Sequence, residues 1–268
     1  MSNSSPSESH APALMPIVYL PHGGGPLPLL GDPDHKDLIA FLKGLHERLP
    51  QPKAILMISA HWEHEVAAIS AASHPEMIYD YGGFPPETYT YQYPAPGHPE
   101  LSEQVASLLR AQGIEYVLDA QRGYDHGTFV PLMLMYPEAE VPVVQVSLLH
   151  SLDAAEHLAL GRALAPLRTQ GVLIVGSGLS FHARGTFEHS VAFDDWLTET
   201  LVETPTAEAQ HRLEHWTTAP AARDCHQREE HLLPVHVCLG AAAAAAKPAK
   251  KVFSGSFYGK QISGFLWD

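Results

Sequence analysis

Residues 172–182 read VLIVGSGLSFH, and this stretch decides the fold. Four consecutive branched apolar residues give way to small residues and then to His182, the pattern of a buried strand ending in a tight turn. The same grammar occurs twice upstream. IVYLP at 17–21 runs into HGGGP at 22–26, and AILMISA at 54–60 runs into His61 and Trp62. Ligands in open α/β sheets bind at the carboxyl ends of the strands, so three separate elements deliver His22, His61 and His182 to one rim. Convergence on one rim is what a metal site requires. The glycines at 23–25 permit unusual dihedrals and let the backbone approach a bound group closely.

Working outward, short apolar runs at 17–20, 54–59, 66–71, 115–118, 143–147 and 172–176 alternate with helical spacing at 36–48, 101–112 and 154–169. This alternation predicts an α/β class. The expected architecture is a single domain with a central mixed, largely parallel sheet flanked by amphipathic helices. Further helices are expected at 193–203, through 214, and at 229–246, where the alanine tract stops at Lys247 and Pro248. The last eighteen residues, KVFSGSFYGKQISGFLWD, hold two β-rich runs around a Tyr-Gly-Lys turn, which predicts a terminal hairpin or a late strand. Residues 1–14 are rich in Ser, Pro and Ala and are expected to be a disordered tail, leaving 15–268 as the catalytic domain. The segment 76–99 concentrates Tyr, Gly and Pro without either period. It is either a functional loop or one packed by its own rings.

Composition narrows the function. A net charge of −14 argues against nucleic acid and anionic membranes as partners. No apolar run approaches the ~20 residues of a membrane span. Cys225 and Cys238 form no C-x-x-C pair and build no disulfide framework, which places the chain in a reducing cytoplasm. Eighteen histidines are the anomaly, because histidine is the commonest transition-metal ligand and a proton carrier near neutral pH. His10, His35, His46, His64, His74, His98, His189, His211, His215 and His226 sit in polar or loop-like sequence and are read as bland. His126 stands out in GYDHGT, beside Asp125, which can fix its tautomer or cap a following helix. His231 lies in REEHLLP, near a helix start compatible with Pro234. Glu229 and Glu230 beside it leave open a two-histidine, one-carboxylate triad, and His236 is taken as structural. Neither G-x-G-x-x-G nor a Walker lysine follows the glycine run, so a nucleotide site is not supported.

The segments PHGGGP at 21–26, SAHW at 59–62, YDYGGFPPETYTYQYPAPG at 79–97, YDHGT at 124–128, GSGLSFH at 176–182 and EHLLPVHV at 230–237 resemble, in order, the motif series of the DOPA-dioxygenase type of class III extradiol dioxygenases. The resemblance runs from about residue 16 to the C-terminus. It implies His22, His61 and His231 as ligands of one divalent metal per chain, with His182 as a further ligand or the acid/base residue and His126 as a second active-site residue. It also implies a catechol substrate and O2. Two positions depart from the family: a glycine stands where a serine is usual in the first motif, and Ala183 stands where asparagine often follows the fourth histidine. Fe2+ suits oxygen activation, whereas an all-histidine set also suits Zn2+, which does not cycle redox states. The competing expectations are therefore a zinc-dependent hydrolase of a small polar substrate and a non-catalytic metal-binding scaffold. Tyr79, Tyr81 and Phe84 are the expected wall on which a substrate ring stacks. A monomer or a homodimer is expected.

Overall fold

In a computed structural model describing residues 14–243 and 247–268, the first strand β1 (Ile17–Pro21) is followed by α1 (Lys36–Leu45), β2 (Ala54–Ser59), β3 (Glu63–His64) and β4 (Ala67–Ser70). Then come α2 (Pro99–Ala111), β5 (Tyr116–Asp119), α3 (His126–Met135), β6 (Val143–Gln145), β7 (Leu148–Leu149) and α4 (Ala154–Leu164). The second half holds β8 (Val172–Gly178), α5 (Phe187–Thr198), α6 (Thr206–Glu214), α7 (Ala222–Cys225), α8 (Leu233–Ala242), β9 (Lys250–Phe257) and β10 (Lys260–Trp267). Residues 1–13, most of the expected tail, and 244–246 of the alanine tract lie outside the described residues.

The main sheet runs β6-β2-β8-β1-β10-β9. β1, β8, β2 and β6 are parallel, and β10 and β9 add antiparallel at one side, so the mixed, largely parallel sheet is confirmed. The apolar runs explain this, since β1, β2 and β8 are buried along their whole length, as strands covered by helices on both faces must be. The C-terminal residues form both expected features at once, a hairpin that is also added to the sheet.

Two expectations need correction. The strands at 67–70 and 116–119 do not join the main sheet but pair with each other in a separate two-stranded parallel sheet. Only residues 60–66 separate β2 from β4, too few for the crossover of a dozen residues that a parallel neighbour demands, and β6 occupies that edge. The helix expected from 229 begins at Leu233. Its would-be first turn is held elsewhere: the His231 carbonyl accepts from Leu179 N at 3.0 Å and from the Tyr19 hydroxyl at 3.2 Å. Among the described residues, no helix is long and apolar enough to cross a membrane.

Candidate active site

Because β2, β8 and β1 are adjacent and parallel, their C-terminal ends share one rim. His22 follows β1 directly, His61 stands two residues beyond β2, and His182 four beyond β8. His126 opens α3, and His231 arrives on the turn before α8. Gly178 makes this approach possible, because a Cβ there would lie 2.2 Å from the His231 carbonyl oxygen. Gly23, at φ +84°, turns the chain after His22, and a Cβ would meet Pro28 at 2.6 Å.

The five histidines line one cavity of about 440 Å³. Ring-centroid distances sort them. His22 lies 4.9 Å from His61 and 5.3 Å from His231, and His61 lies 5.0 Å from His231. Three imidazoles sharing one ion at about 2.1 Å through edge nitrogens need centroids roughly 5 Å apart, a spacing met by every pair of this trio and also by His22 and His126, at 5.3 Å. His126 sits 3.8 Å from His61, tilted by 47°, and His182 stacks on His231 at 3.5 Å and 20°. A nitrogen of His126 does come within 4.8 Å of nitrogens of His22 and His61, so it faces the same space.

The second layer orients the trio. His22 Nδ1 donates to Gly23 O at 2.9 Å, His231 Nδ1 to Glu230 Oε1 at 2.9 Å, and His61 Nδ1 lies 3.5 Å from Asp80 Oδ2. The Nε2 atoms of His22 and His61 are buried without a partner, the state expected of nitrogens reserved for a ligand. The residues therefore fit a divalent metal.

Burial, followed by repulsion from neighbouring imidazoles, pushes His22 well below its ordinary value and His61 down to about 2. Burial likewise lowers His231 to about 4, against the raising effect of Glu230. These imidazoles are neutral near pH 7, as ligation requires. Burial pushes Glu230 upward, but the hydrogen bonds of His182 and His231 outweigh it and hold the carboxyl well below the usual carboxylate range. Asp80 behaves alike: burial raises it, and hydrogen bonding with His126 brings it below its ordinary value.

Several sequence expectations are refined here. Glu230 Oε1 lies 2.9 Å from His231 Nδ1, and the ligand atoms of His182, Glu230 and His231 come within 4.8 Å of one another, whereas Glu229 pairs with Arg223 at 2.6 Å. Asp125 caps α3 through Thr128 N at 3.0 Å, while Asp80 faces His126 Nδ1 at 2.9 Å. Tyr81 and Phe84 line the cavity. Tyr79 does not, because its hydroxyl is held by Tyr91 O at 2.6 Å and its ring packs behind Tyr81. His236 is structural, buried with Nε2 2.9 Å from Leu213 O. His35 and His226, read as loop-like, are fully buried. His35 Nε2 accepts from Gly24 N at 3.0 Å and so pins the glycine turn.

Sequence reasoning missed Asp80, which lay between the two tyrosines it had singled out, and Phe181, Phe257, Tyr258 and Lys260, which complete the cavity wall. Asp80 was the one carboxylate of the YDYGGF run, a usable signal. The hairpin residues gave none, because their approach to the rim depends on β10 pairing with β1.

An α/β sheet that gathers largely buried histidines at its carboxyl rim offers donors for a divalent metal. The family described as the catalytic LigB subunit of aromatic ring-opening dioxygenase matches residues 9–266, and the chain belongs to it. It is thus an extradiol ring-cleaving dioxygenase, acting with a divalent metal and O2 on a small aromatic substrate. Similar proteins include dioxygenase tasH of Hapsidospora irregularis, 38% identical over 95% of this chain and 86% of that protein. The 4,5-DOPA dioxygenase extradiol of Beta vulgaris is 41% identical over 85% of this chain and 87% of its own. The crystal structure of an uncharacterized Escherichia coli protein superposes with a TM-score of 0.77 at 29% identity, covering 95% of this chain and all of that one. The hydrolase and scaffold alternatives give way to this membership.

Proposed function

We propose that the chain opens the ring of a DOPA-like catechol, using one Fe2+ held by Nε2 of His22, His61 and His231. The observation that carries this is the trio's spacing, near 5 Å for all three pairs, at the floor of a cavity walled by Tyr81, Phe84 and Phe181. When bound, iron supplies the redox chemistry by which O2 reacts with the ring, a role closed to zinc. Zn2+ fits the same donors and would give an inactive form.

The protein's own groups bind, orient and move protons. Aromatic walls hold the substrate ring, with Tyr81 and Phe84 as its stacking partners. His182 is the acid/base residue. Its Nδ1 lies 3.3 Å from Glu230 Oε1, its stacking on His231 turns it away from an edge-on ligand position, and its side chain is 46% exposed at the cavity mouth. It accepts a catechol proton at Nε2 and returns one later to the opening ring. His126, backed by Asp80, orients the substrate or O2. The free, buried cysteines support a cytoplasmic site of action, and the net charge of −14 supports a small-molecule rather than a nucleic-acid or membrane partner. The unit is 15–268, as a monomer or homodimer.

Anaerobic Fe2+ reconstitution followed by oxygen-electrode assay on a catechol panel tests this reading. Oxygen uptake with a coloured ring-fission product is expected, and uptake no greater than that of His61→Ala for every catechol refutes it.

A further inference from the structure

The cavity is chemically lopsided. Its floor is the histidine trio, its walls are the rings of Tyr81, Phe84, Phe181, Phe257 and Tyr258, and no carboxylate lines it. Lys260 is the one Lys or Arg among its lining residues. The Lys260 ammonium lies 5.8 Å from the centroid of the Phe181 ring, and among the described residues no carboxylate stands within ion-pair distance of it. A half-buried cation resting on an aromatic face, influencing the exposed Glu188 through space but not paired with it, is suited to receive a carboxylate.

The position of Lys260 is fixed by the fold. It closes the β9-β10 hairpin opposite Phe257, across a turn with Tyr258 at φ 49° and Gly259 at φ 66°. Tyr258 is in the left-handed region that side chains disfavour, and its ring meets His35, the residue that pins the glycine turn, edge-on at 5.8 Å. The next residue anchors the hairpin to α5, with Gln261 N donating to Ser190 Oγ at 2.9 Å. The lysine is thus held against the cavity by strained, anchored backbone.

Resting on the catechol reading above, we propose that Lys260 is the specificity residue of this site: it pairs with a carboxylate on the substrate's ring substituent, selecting acidic catechols over neutral or cationic ones. The diol then faces the histidines and the acid faces the hairpin. Gly23, Gly24, Gly25 and Ala183 also line this cavity, and Lys260 is its one Lys or Arg.

The test uses the zinc-loaded full chain, which binds without turnover. Under argon, 3-(3,4-dihydroxyphenyl)propanoic acid, its amide and 3,4-dihydroxyphenethylamine are titrated calorimetrically into wild type, Lys260→Met and Lys260→Glu. The acid is expected to bind wild type about tenfold more tightly than the amide, as a partly exposed charge pair allows. Lys260→Met should bring the acid to the amide's affinity while leaving the amide within about twofold of its wild-type value. Lys260→Glu should favour the amine. Equal binding of acid and amide by wild type, or an equal loss of both in Lys260→Met, overturns the proposal. A lysine-dependent preference for the acid in a chain whose iron form consumes no O2 with any catechol upholds the carboxylate site and sinks the dioxygenase substrate reading instead.

Discussion

Replacing Glu230 by Gln isolates what one carboxylate does for the metal centre. Glu230 is 13% exposed, and its Oε1 accepts from His231 Nδ1 at 2.9 Å and lies 3.3 Å from His182 Nδ1. Glutamine keeps an acceptor oxygen of the same reach, so the His231 ring stays oriented and the charge alone is lost. A charge-assisted hydrogen bond is about twice as strong as a neutral one, a difference of about 1–2 kcal/mol. Since that charge makes the imidazole a better donor, metal affinity should weaken by about 5- to 30-fold, within the usual range for such supporting residues. Glu230→Ala also frees the ring and should approach a 100-fold loss. Arg228 keeps its two contacts with Glu63, at 2.5 and 2.6 Å, so the local fold should persist in both variants. Chelator competition at pH 7.5 reads the affinity, and thermal melting of the apoprotein checks the fold. A Gln variant that binds metal within twofold of wild type, with an unchanged melt, refutes the role assigned to Glu230.

Gly178→Ala should lower both the melting temperature and metal content, because the new Cβ would overlap the His231 carbonyl at 2.2 Å; calorimetry and elemental analysis check both. Tyr81→Leu should raise KM in steady-state oxygen uptake, whereas Tyr79→Phe should leave KM unchanged and cost about 1 kcal/mol in urea unfolding, the worth of its bond to Tyr91 O. Apoprotein stability should fall as pH drops below 6.5. Burial holds His226 down to about 3 and His236 to about 4, so between those values and 6.5 the unfolded chain takes up protons that the fold refuses. At pH 5 each contributes about 2 kcal/mol of destabilisation relative to pH 8, measurable by urea titration, and a flat profile across that range contradicts the buried-neutral assignment.

Much of the fold was legible because β1, β2 and β8 are uninterrupted apolar runs, each ending in small residues and a histidine. What the runs could not reveal was partnership. β4 and β5 look like sheet strands locally, and only the short 60–66 connection and the presence of β6 divert them. The gathering of strand-end histidines at one rim is legible in the motifs, yet the layer behind them is not: Asp80 meets His61 and His126 only after the aromatic loop folds over α3. His35 shows the converse, a side chain in polar sequence that is buried because the glycine turn needs an acceptor. The helix starts at Leu233 rather than at 229 because the His231 carbonyl serves Leu179 and Tyr19, contacts more than fifty residues distant in sequence.

Anomalous diffraction from metal-loaded crystals is the measurement that bears most directly on the centre. One ion bonded to Nε2 of His22, His61 and His231, with His182 and His126 beside it and unbound, is the expected result. An ion held by a trio that omits His61 or His231, or bound instead at the exposed His211, Glu214 and His215 around the end of α6, would contradict it.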